Sequence, residues 1–342
     1  MGQAEPLKIV FMGTPDLAAT VLETLLHWDG CRVIAAYCQP DRPAGRGMAL
    51  KVPPVKVLAQ SHGIPVYQPL NFKNAADVAF LHSLLPEYLA VAAYGLILPQ
   101  SVLDIPARMP LNVHTSLLPK YRGAAPIQRV IMNGEGETGV TIMRMEKGLD
   151  TGPIILQEGV PIRFEDTASD LHDRLAQVGG KLLVKAIQGL EAQKLTPTPQ
   201  DHENATYAAK LEKHEGALNF SRNGRDIYNV MRGVTPWPGA FAVLKREGEA
   251  DLQVNFLAGN FLVENSLTGI SIADVPPAKP GAILPNLIEG GLAVSCADGV
   301  YRITMLKPAG KKAMDAAAFM NGYLKGRPSP FFAAPAYPGN FA

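Results

Sequence analysis

The stretch Leu111-Asn112-Val113-His114-Thr115-Ser116-Leu117-Leu118-Pro119-Lys120-Tyr121-Arg122-Gly123-Ala124-Ala125-Pro126 decides how this chain is read. Its first four residues alternate apolar and polar. Successive side chains of a strand point to opposite faces, so Asn112 and His114 are predicted to share one face near a strand end. A loop with two prolines and a glycine follows, and a helical pattern begins after Pro126. Polar side chains at a strand's carboxyl end, followed by a loop and a helix, stand where open α/β sheets bind ligands. Asn offers a neutral N–H donor to a carbonyl oxygen that is gaining negative charge. His exchanges a proton near neutral pH. A third group has to orient the imidazole, and the candidate is Asp150, flanked by glycines in Gly148-Leu149-Asp150-Thr151-Gly152. Taken alone, an Asn-x-His pair is read more simply as a hydrogen-bonded polar pair at a strand end.

Working outward, Leu7–Met12, Val33–Cys38 and Tyr88–Ala93 read as strands, and Leu17, Val21, Leu22, Leu25 and Leu26 follow helical spacing. Alternating strands and helices predict an α/β domain with a doubly wound, mostly parallel, Rossmann-like sheet. Ile154–Leu156 and Val160–Ile162 read as two further strand pieces. The stripe from Leu171 to Leu190 reads as a core-facing helix, in which Gly179-Gly180 leave room for a local bend. Leu195–Thr206 has two prolines and no apolar periodicity, which predicts a linker. The expected division is a catalytic domain over 1–193, a linker over 194–207 and a smaller β domain over 208–342. Helix is expected at Asp226–Val234 and Ala313–Leu324, and strands at Phe241–Leu244 and Leu252–Leu257. Leu292–Cys296 and Val300–Leu306 flank the hairpin signal Asp298-Gly299. Val254–Pro280 and the tail Ser329–Ala342 stay unassigned.

The 342 residues suit two domains, and a net charge of +1 excludes a polycation. Any nucleic-acid site must then be local, and two segments qualify. Gln39–Lys56 carries Arg42, Arg46, Lys51 and Lys56 against Asp41, a net of +3, on what its prolines and glycines predict to be an irregular exposed loop. Tyr301–Arg327 carries six basic residues, among them Lys307, Lys311 and Lys312, against Asp315, a net of +5. Three cysteines without ligand-like spacing predict reduced thiols. With no apolar run near 18 residues and no leader pattern at the N-terminus, a cytoplasmic chain without a membrane partner is expected.

Read together, Asn112-Val113-His114, Ser116-Leu117-Leu118-Pro119, Arg122-Gly123-Ala124-Ala125-Pro126 and Gly148–Gly152 resemble the folate-dependent formyltransferases. The resemblance extends to Met12-Gly13-Thr14-Pro15, to Gln39–Gly47, to Pro236-Trp237-Pro238 and to Pro308-Ala309-Gly310-Lys311-Lys312, nearly the whole chain. Within the family it is most similar to members that formylate initiator methionyl-tRNA. It implies transfer of formyl from 10-formyltetrahydrofolate to an α-amino group, without a metal, by Asn112, His114 and Asp150. It further implies that Ser116, Leu117, Leu118 and Pro119 line the folate. Arg42 and Arg46 would contact the tRNA acceptor end, and Lys307, Lys311 and Lys312 its backbone, from an OB-like β-barrel. A monomer is expected. Thr115 stands where Gly or Ala is usual in the family. Two rivals remain open at this point: a formyltransferase acting on a small amine, such as a sugar nucleotide or glycinamide ribonucleotide, and a non-catalytic RNA-binding protein on the same fold. His114 and Asp150 are expected at a solvent-facing cleft.

Overall fold

Leu7–Met12 is apolar on both sides of the pleat apart from Lys8, as a strand covered on both faces must be. In the computed structural model, which describes residues 5–44, 49–261, 276–284, 287–288, 290–327 and 329–335, this segment is the strand β1, Leu7–Gly13. The chain continues through α1 (Asp16–Leu26), β2 (Cys31–Tyr37), β3 (Arg42–Ala44), β4 (Ala49–Lys51), α2 (Pro54–Ser61), β5 (Val66–Tyr67) and α3 (Ala75–Ser83). Then follow β6 (Tyr88–Ala92), α4 (Gln100–Leu103), β7 (Met109–His114), β8 (Arg122–Gly123), α5 (Pro126–Met132), β9 (Glu137–Arg144), β10 (Ile154–Pro161), α6 (Ala168–Glu191) and β11 (Tyr207–Ala208). Seven of these strands form one sheet in the order β10-β9-β7-β6-β1-β2-β5. The run from β7 to β5 is parallel, whereas β9 lies antiparallel to β7 and β10 antiparallel to β9. The sheet is thus mixed and mostly parallel. All five residues of β6 are buried, as expected of a central strand.

Several expectations are revised here. Gln39–Pro54 is not wholly irregular, because Arg42–Ala44 and Ala49–Lys51 pair as an antiparallel ribbon. A two-stranded ribbon has an open edge on each side, so Pro43, which lacks an N–H, fits in it. Nor does Leu195–Thr206 run free. Thr198 bridges Ile154, the Arg122 N–H donates to the Thr206 carbonyl, and β11 pairs with β8. Its contacts are polar and therefore leave no apolar period. The two strand pieces after Asp150 are one strand, β10. Helix α6 is one element through Gly179-Gly180. A Cβ on Gly179 would stand 2.8 Å from Val113 Cγ1, and one on Gly180 2.4 Å from Thr24 Oγ1. The glycines therefore let α6 lie close against β7 and α1.

The chain divides into two compact units. The first takes residues up to Ile127, Gly136–Arg163 and Asp170–Ala209. The second takes Gln128–Glu135, Phe164–Ser169 and the chain from Lys210 onward. The second unit adds α7 (Gly224–Gly233), β12 (Ala240–Lys245), β13 (Leu252–Phe261), β14 (Ile283–Leu284), β15 (Leu292–Cys296), β16 (Gly299–Pro308), β17 (Met314–Asp315), α8 (Ala316–Phe319) and β18 (Phe331–Ala333). The predicted helix Ala313–Leu324 is thus shorter, with Asp315 capping α8 and a single wide turn at Met320–Leu324 after it. The antiparallel order is β14-β15-β16-β13-β12-β18, with β17 on β16. The two ends of that path are joined: Ala282 bridges Phe331, and the Phe332 N–H donates to the Gly281 carbonyl. The tail that the sequence left unassigned therefore supplies β18, and Phe332 enters a core with Phe220, Phe256 and Tyr301. Of Val254–Pro280, the first part extends β13, and 262–275 lie outside the described residues. Among the described residues no helix is long and apolar enough to cross a membrane.

Candidate active site

Val113 packs toward Gly179 of α6, so the alternation of β7 turns Asn112 and His114 to the opposite face of the sheet. The Asn112 side chain is half-buried and makes no hydrogen bond among the described residues. His114 is 6% exposed, which corrects the expectation of an open position. The loop after β7 covers it: His114 Nε2 lies 3.0 Å from the Tyr121 carbonyl. A carbonyl oxygen accepts and cannot donate, so Nε2 carries a proton whenever this bond forms. The other ring nitrogen, Nδ1, stands 3.7 Å from Asp150 Oδ2. That separation is beyond a hydrogen bond, and catalytic contacts commonly tighten only around bound substrate.

Asp150 reaches this point because its loop doubles back on β9. A Cβ on Gly152 would lie 1.9 Å from the Arg144 carbonyl oxygen, so only glycine allows the approach. Asp150 Oδ2 accepts the Gly123 N–H at 2.7 Å. Gly123 has φ +117, and a Cβ there would meet the Ala208 carbonyl oxygen at 2.8 Å. Asp150 and Tyr121 take positive φ, +53 and +59. Thr115 does not, so its place in the loop makes no demand for glycine.

The Ser116–Pro119 segment is held by groups that sequence reasoning missed. His114, Thr141 of β9 and Gln157 of β10 stand in register across three strands. Thr141 Oγ1 donates to the Ser116 carbonyl at 2.7 Å and accepts the Leu118 N–H at 3.1 Å. Gln157 Nε2 donates to Thr141 Oγ1 at 2.9 Å and to the Leu118 carbonyl at 2.8 Å. Ser116 is fully buried and its hydroxyl donates to the Lys120 carbonyl, while Leu118 is buried beneath the segment. Leu117 and Pro119 remain partly exposed. Arg122 and Gln200 were missed as well. Arg122 lies in the quoted stretch, and Gln200 in a stretch whose polar composition read as linker.

The basic segments are separate from this cluster in the sequence. Arg42 is exposed on β3, and Arg46 lies outside the described residues. The stem of the β3–β4 ribbon is anchored by Lys56, which donates to Asp41 at 2.8 Å and to Gln68 Oε1 at 2.9 Å. Lys56 and the Gln68 amide, whose Nε2 donates to Asp41 Oδ1 at 2.8 Å, hold the Asp41 carboxyl below its ordinary range. Lys307, Lys311 and Lys312 are exposed in the second unit and form no ion pair among the described residues. Arg327, of the same basic run, is paired with Glu249.

Residues 7–187 match the family model described as formyl transferase, and residues 210–324 match the formyl transferase C-terminal domain. A methionyl-tRNA formyltransferase of Nitratidesulfovibrio vulgaris (strain DP4) is 49% identical over 326 residues, covering 95% of each chain. One from Hahella chejuensis is 45% identical, over 93% of this chain and 95% of the relative. Among solved structures, a sugar 3N-formyl transferase, WlaRD, superposes with a TM-score of 0.57 at 19% identity, over 90% of this chain and all of the other. HypX from Aquifex aeolicus in complex with tetrahydrofolic acid superposes with a TM-score of 0.58 at 17% identity, over 98% of this chain and half of the other. At such identities these two speak for the fold alone. With both family models matched in order and relatives near half identical, the chain belongs to the formyltransferase family, in which it aligns over 93–95% of its length with methionyl-tRNA formyltransferases.

Proposed function

We propose that this protein transfers the formyl group of 10-formyltetrahydrofolate to the α-amino group of methionyl initiator tRNA, the step that prepares that tRNA for translation initiation. The observation that supports the reading is His114 Nδ1 lying 3.7 Å from Asp150 Oδ2, with Asn112 on the same face of β7, in a chain that aligns over 95% of its length with a methionyl-tRNA formyltransferase. The amine nitrogen bonds to the formyl carbon, and the carbonyl electron pair moves onto oxygen. The free Asn112 amide donates to that oxygen, and the His114 imidazole joins it when its Nε2–H leaves the Tyr121 carbonyl. Each such donor is worth on the order of 100- to 1,000-fold in rate. The attacking nitrogen gives up a proton to Asp150, directly or through His114 or a water. The carbonyl then re-forms, the carbon–N10 bond breaks with its electron pair on N10, and N10 takes the proton that Asp150 received. The braced backbone of Ser116–Pro119, with Leu117 and Pro119 partly exposed, fits a wall for the folate.

The tRNA is read by two local patches, in keeping with a net charge near zero. Arg42 and Arg46 meet phosphates at the acceptor end, and Lys307, Lys311 and Lys312 meet the backbone farther off. The joined ends of the second sheet support an OB-like barrel, a fold that suits such contacts. A cytoplasmic setting follows from the substrate. The test is formyl transfer to initiator Met-tRNA beside glycinamide ribonucleotide and an amino sugar nucleotide. The reading expects transfer to Met-tRNA alone. Faster transfer to either small amine would make this a small-acceptor enzyme.

A further inference from the structure

Gln200 lies in the stretch that reads as linker, yet it is only 5% exposed. Both of its N–H groups address one turn: Nε2 stands 2.8 Å from the Asp150 carbonyl oxygen and 2.7 Å from that of Gly152. Its Oε1 accepts from Arg122 Nε at 3.1 Å and from Nη2 at 2.6 Å. Arg122 is 2% exposed, and its Nη2 also meets His202 Nδ1 at 3.1 Å. A guanidinium only donates and a backbone carbonyl only accepts. A side-chain amide satisfies both, whereas a carboxylate of the same shape would set acceptors against two carbonyls.

Six residues on, Thr206 holds the other side of the site. Its Oγ1 accepts the Tyr121 N–H at 2.8 Å, and its carbonyl accepts the Arg122 N–H at 2.8 Å. Tyr121 supplies the carbonyl facing His114 Nε2, and Gly123, one residue past Arg122, supplies the N–H facing Asp150. The segment 200–208 thus fixes the backbone on both sides of the His114–Asp150 contact. Asp150 needs such fixing, because φ +53 is a backbone conformation that residues with a side chain disfavour.

Resting on the reading of Asp150 as proton acceptor, we propose that Gln200 is a positioning residue for formyl transfer. Its two hydrogen bonds to the Asp150 turn hold the carboxylate against His114, and Arg122 keeps the amide turned the right way.

The test uses the full chain with Gln200→Ala, Gln200→Glu, Asp150→Ala and the double variant Gln200→Ala/Asp150→Ala. Formylation of Met-tRNA is measured over both substrates, beside folate titration and thermal unfolding. Each Gln200 variant should lose roughly 10- to 100-fold in kcat, the cost of a misplaced catalytic group. KM for both substrates should stay within about threefold. In the Asp150→Ala background the Gln200→Ala change should alter the residual rate by less than about threefold, because residues acting through one group do not add. Unchanged kcat in Gln200→Ala, or an additive loss in the double variant, overturns the proposal. So does loss of folate binding and of cooperative unfolding in both single variants, since Gln200 would then support the fold instead. If Asp150→Ala itself transfers formyl normally, the catalytic reading is what fails. An inactive Asp150→Ala beside a fully active Gln200→Ala removes the positioning role alone.

Discussion

Replacing Thr141 by Val tests whether the three-strand row His114, Thr141, Gln157 holds the loop that roofs the site. Val has nearly the shape of Thr and lacks only the hydroxyl. Thr141 is fully buried, and its Oγ1 serves the Ser116 carbonyl, the Leu118 N–H and the Gln157 amide. Gln157 keeps its bond to the Leu118 carbonyl, so the change strands two backbone groups, the Ser116 C=O and the Leu118 N–H. A buried group left unpaired costs about 1–3 kcal/mol, so the pair should cost about 2–6 kcal/mol. Against a typical stability of about 5–15 kcal/mol this is large. Thr141→Ser keeps the hydroxyl and removes one methyl, which should cost about 1 kcal/mol. Urea unfolding followed by circular dichroism measures both, and a folate titration reports whether the loop still meets its ligand. The expected order is wild type, then Ser slightly weaker, then Val far weaker in stability and in folate affinity. Val within about 0.5 kcal/mol of wild type, the range of neutral surface changes, or Ser as damaging as Val, would refute the reasoning.

Gly179→Val should lower stability by about 1–3 kcal/mol through overpacking, and kcat with it, because it presses on Val113 between Asn112 and His114; a neutral result in urea unfolding would mean that α6 can move away. Arg42→Ala should raise KM for Met-tRNA while leaving folate binding unchanged, as read by initial rates and titration; a joint loss would assign the ribbon to the folate site. Each of Lys307→Ala, Lys311→Ala and Lys312→Ala should reduce the slope of log affinity against log salt by roughly one unit, and unchanged slopes would remove those lysines from the interface. Burial pushes the Cys31 thiol up to about 12 and those of Cys38 and Cys296 up to about 11. Since the thiolate is the reactive form, alkylation at pH 8 should be slow in native protein and fast in urea, and equal rates would contradict the packing around these thiols.

The parallel half of the first sheet was legible because burial on both faces writes a continuous apolar run, as in Tyr88–Ala92. The face shared by Asn112 and His114 followed from strand alternation alone. What stayed hidden depended on partners distant in sequence. β9 sets Thr138, Gly139 and Thr141 among its apolar residues and so writes no continuous apolar run, and β10 reads as two pieces because Gln157–Gly159, at the sheet edge, are exposed. Pro43 concealed the β3–β4 ribbon. Gln200 is the clearest case. Nothing within a Pro-rich polar stretch announces that one amide will be buried between Arg122 and the Asp150 turn, because the reason for it lies about 50 and about 80 residues away. The burial of His114 was missed for the same cause, since its cover is the Tyr121 carbonyl of a loop whose path the sequence does not write.

The most direct test of the catalytic account is single-turnover formyl transfer to initiator Met-tRNA at saturating folate by Asn112→Ala, His114→Gln and Asp150→Asn, each checked for cooperative unfolding and for binding of both substrates. Because His114 is buried, Gln is used there to keep bulk in the site. The account predicts that each variant transfers formyl at least roughly 100-fold more slowly than wild type while binding folate and tRNA within a few-fold. Transfer within a few-fold of wild type by any one of the three, with both substrates bound, would contradict it.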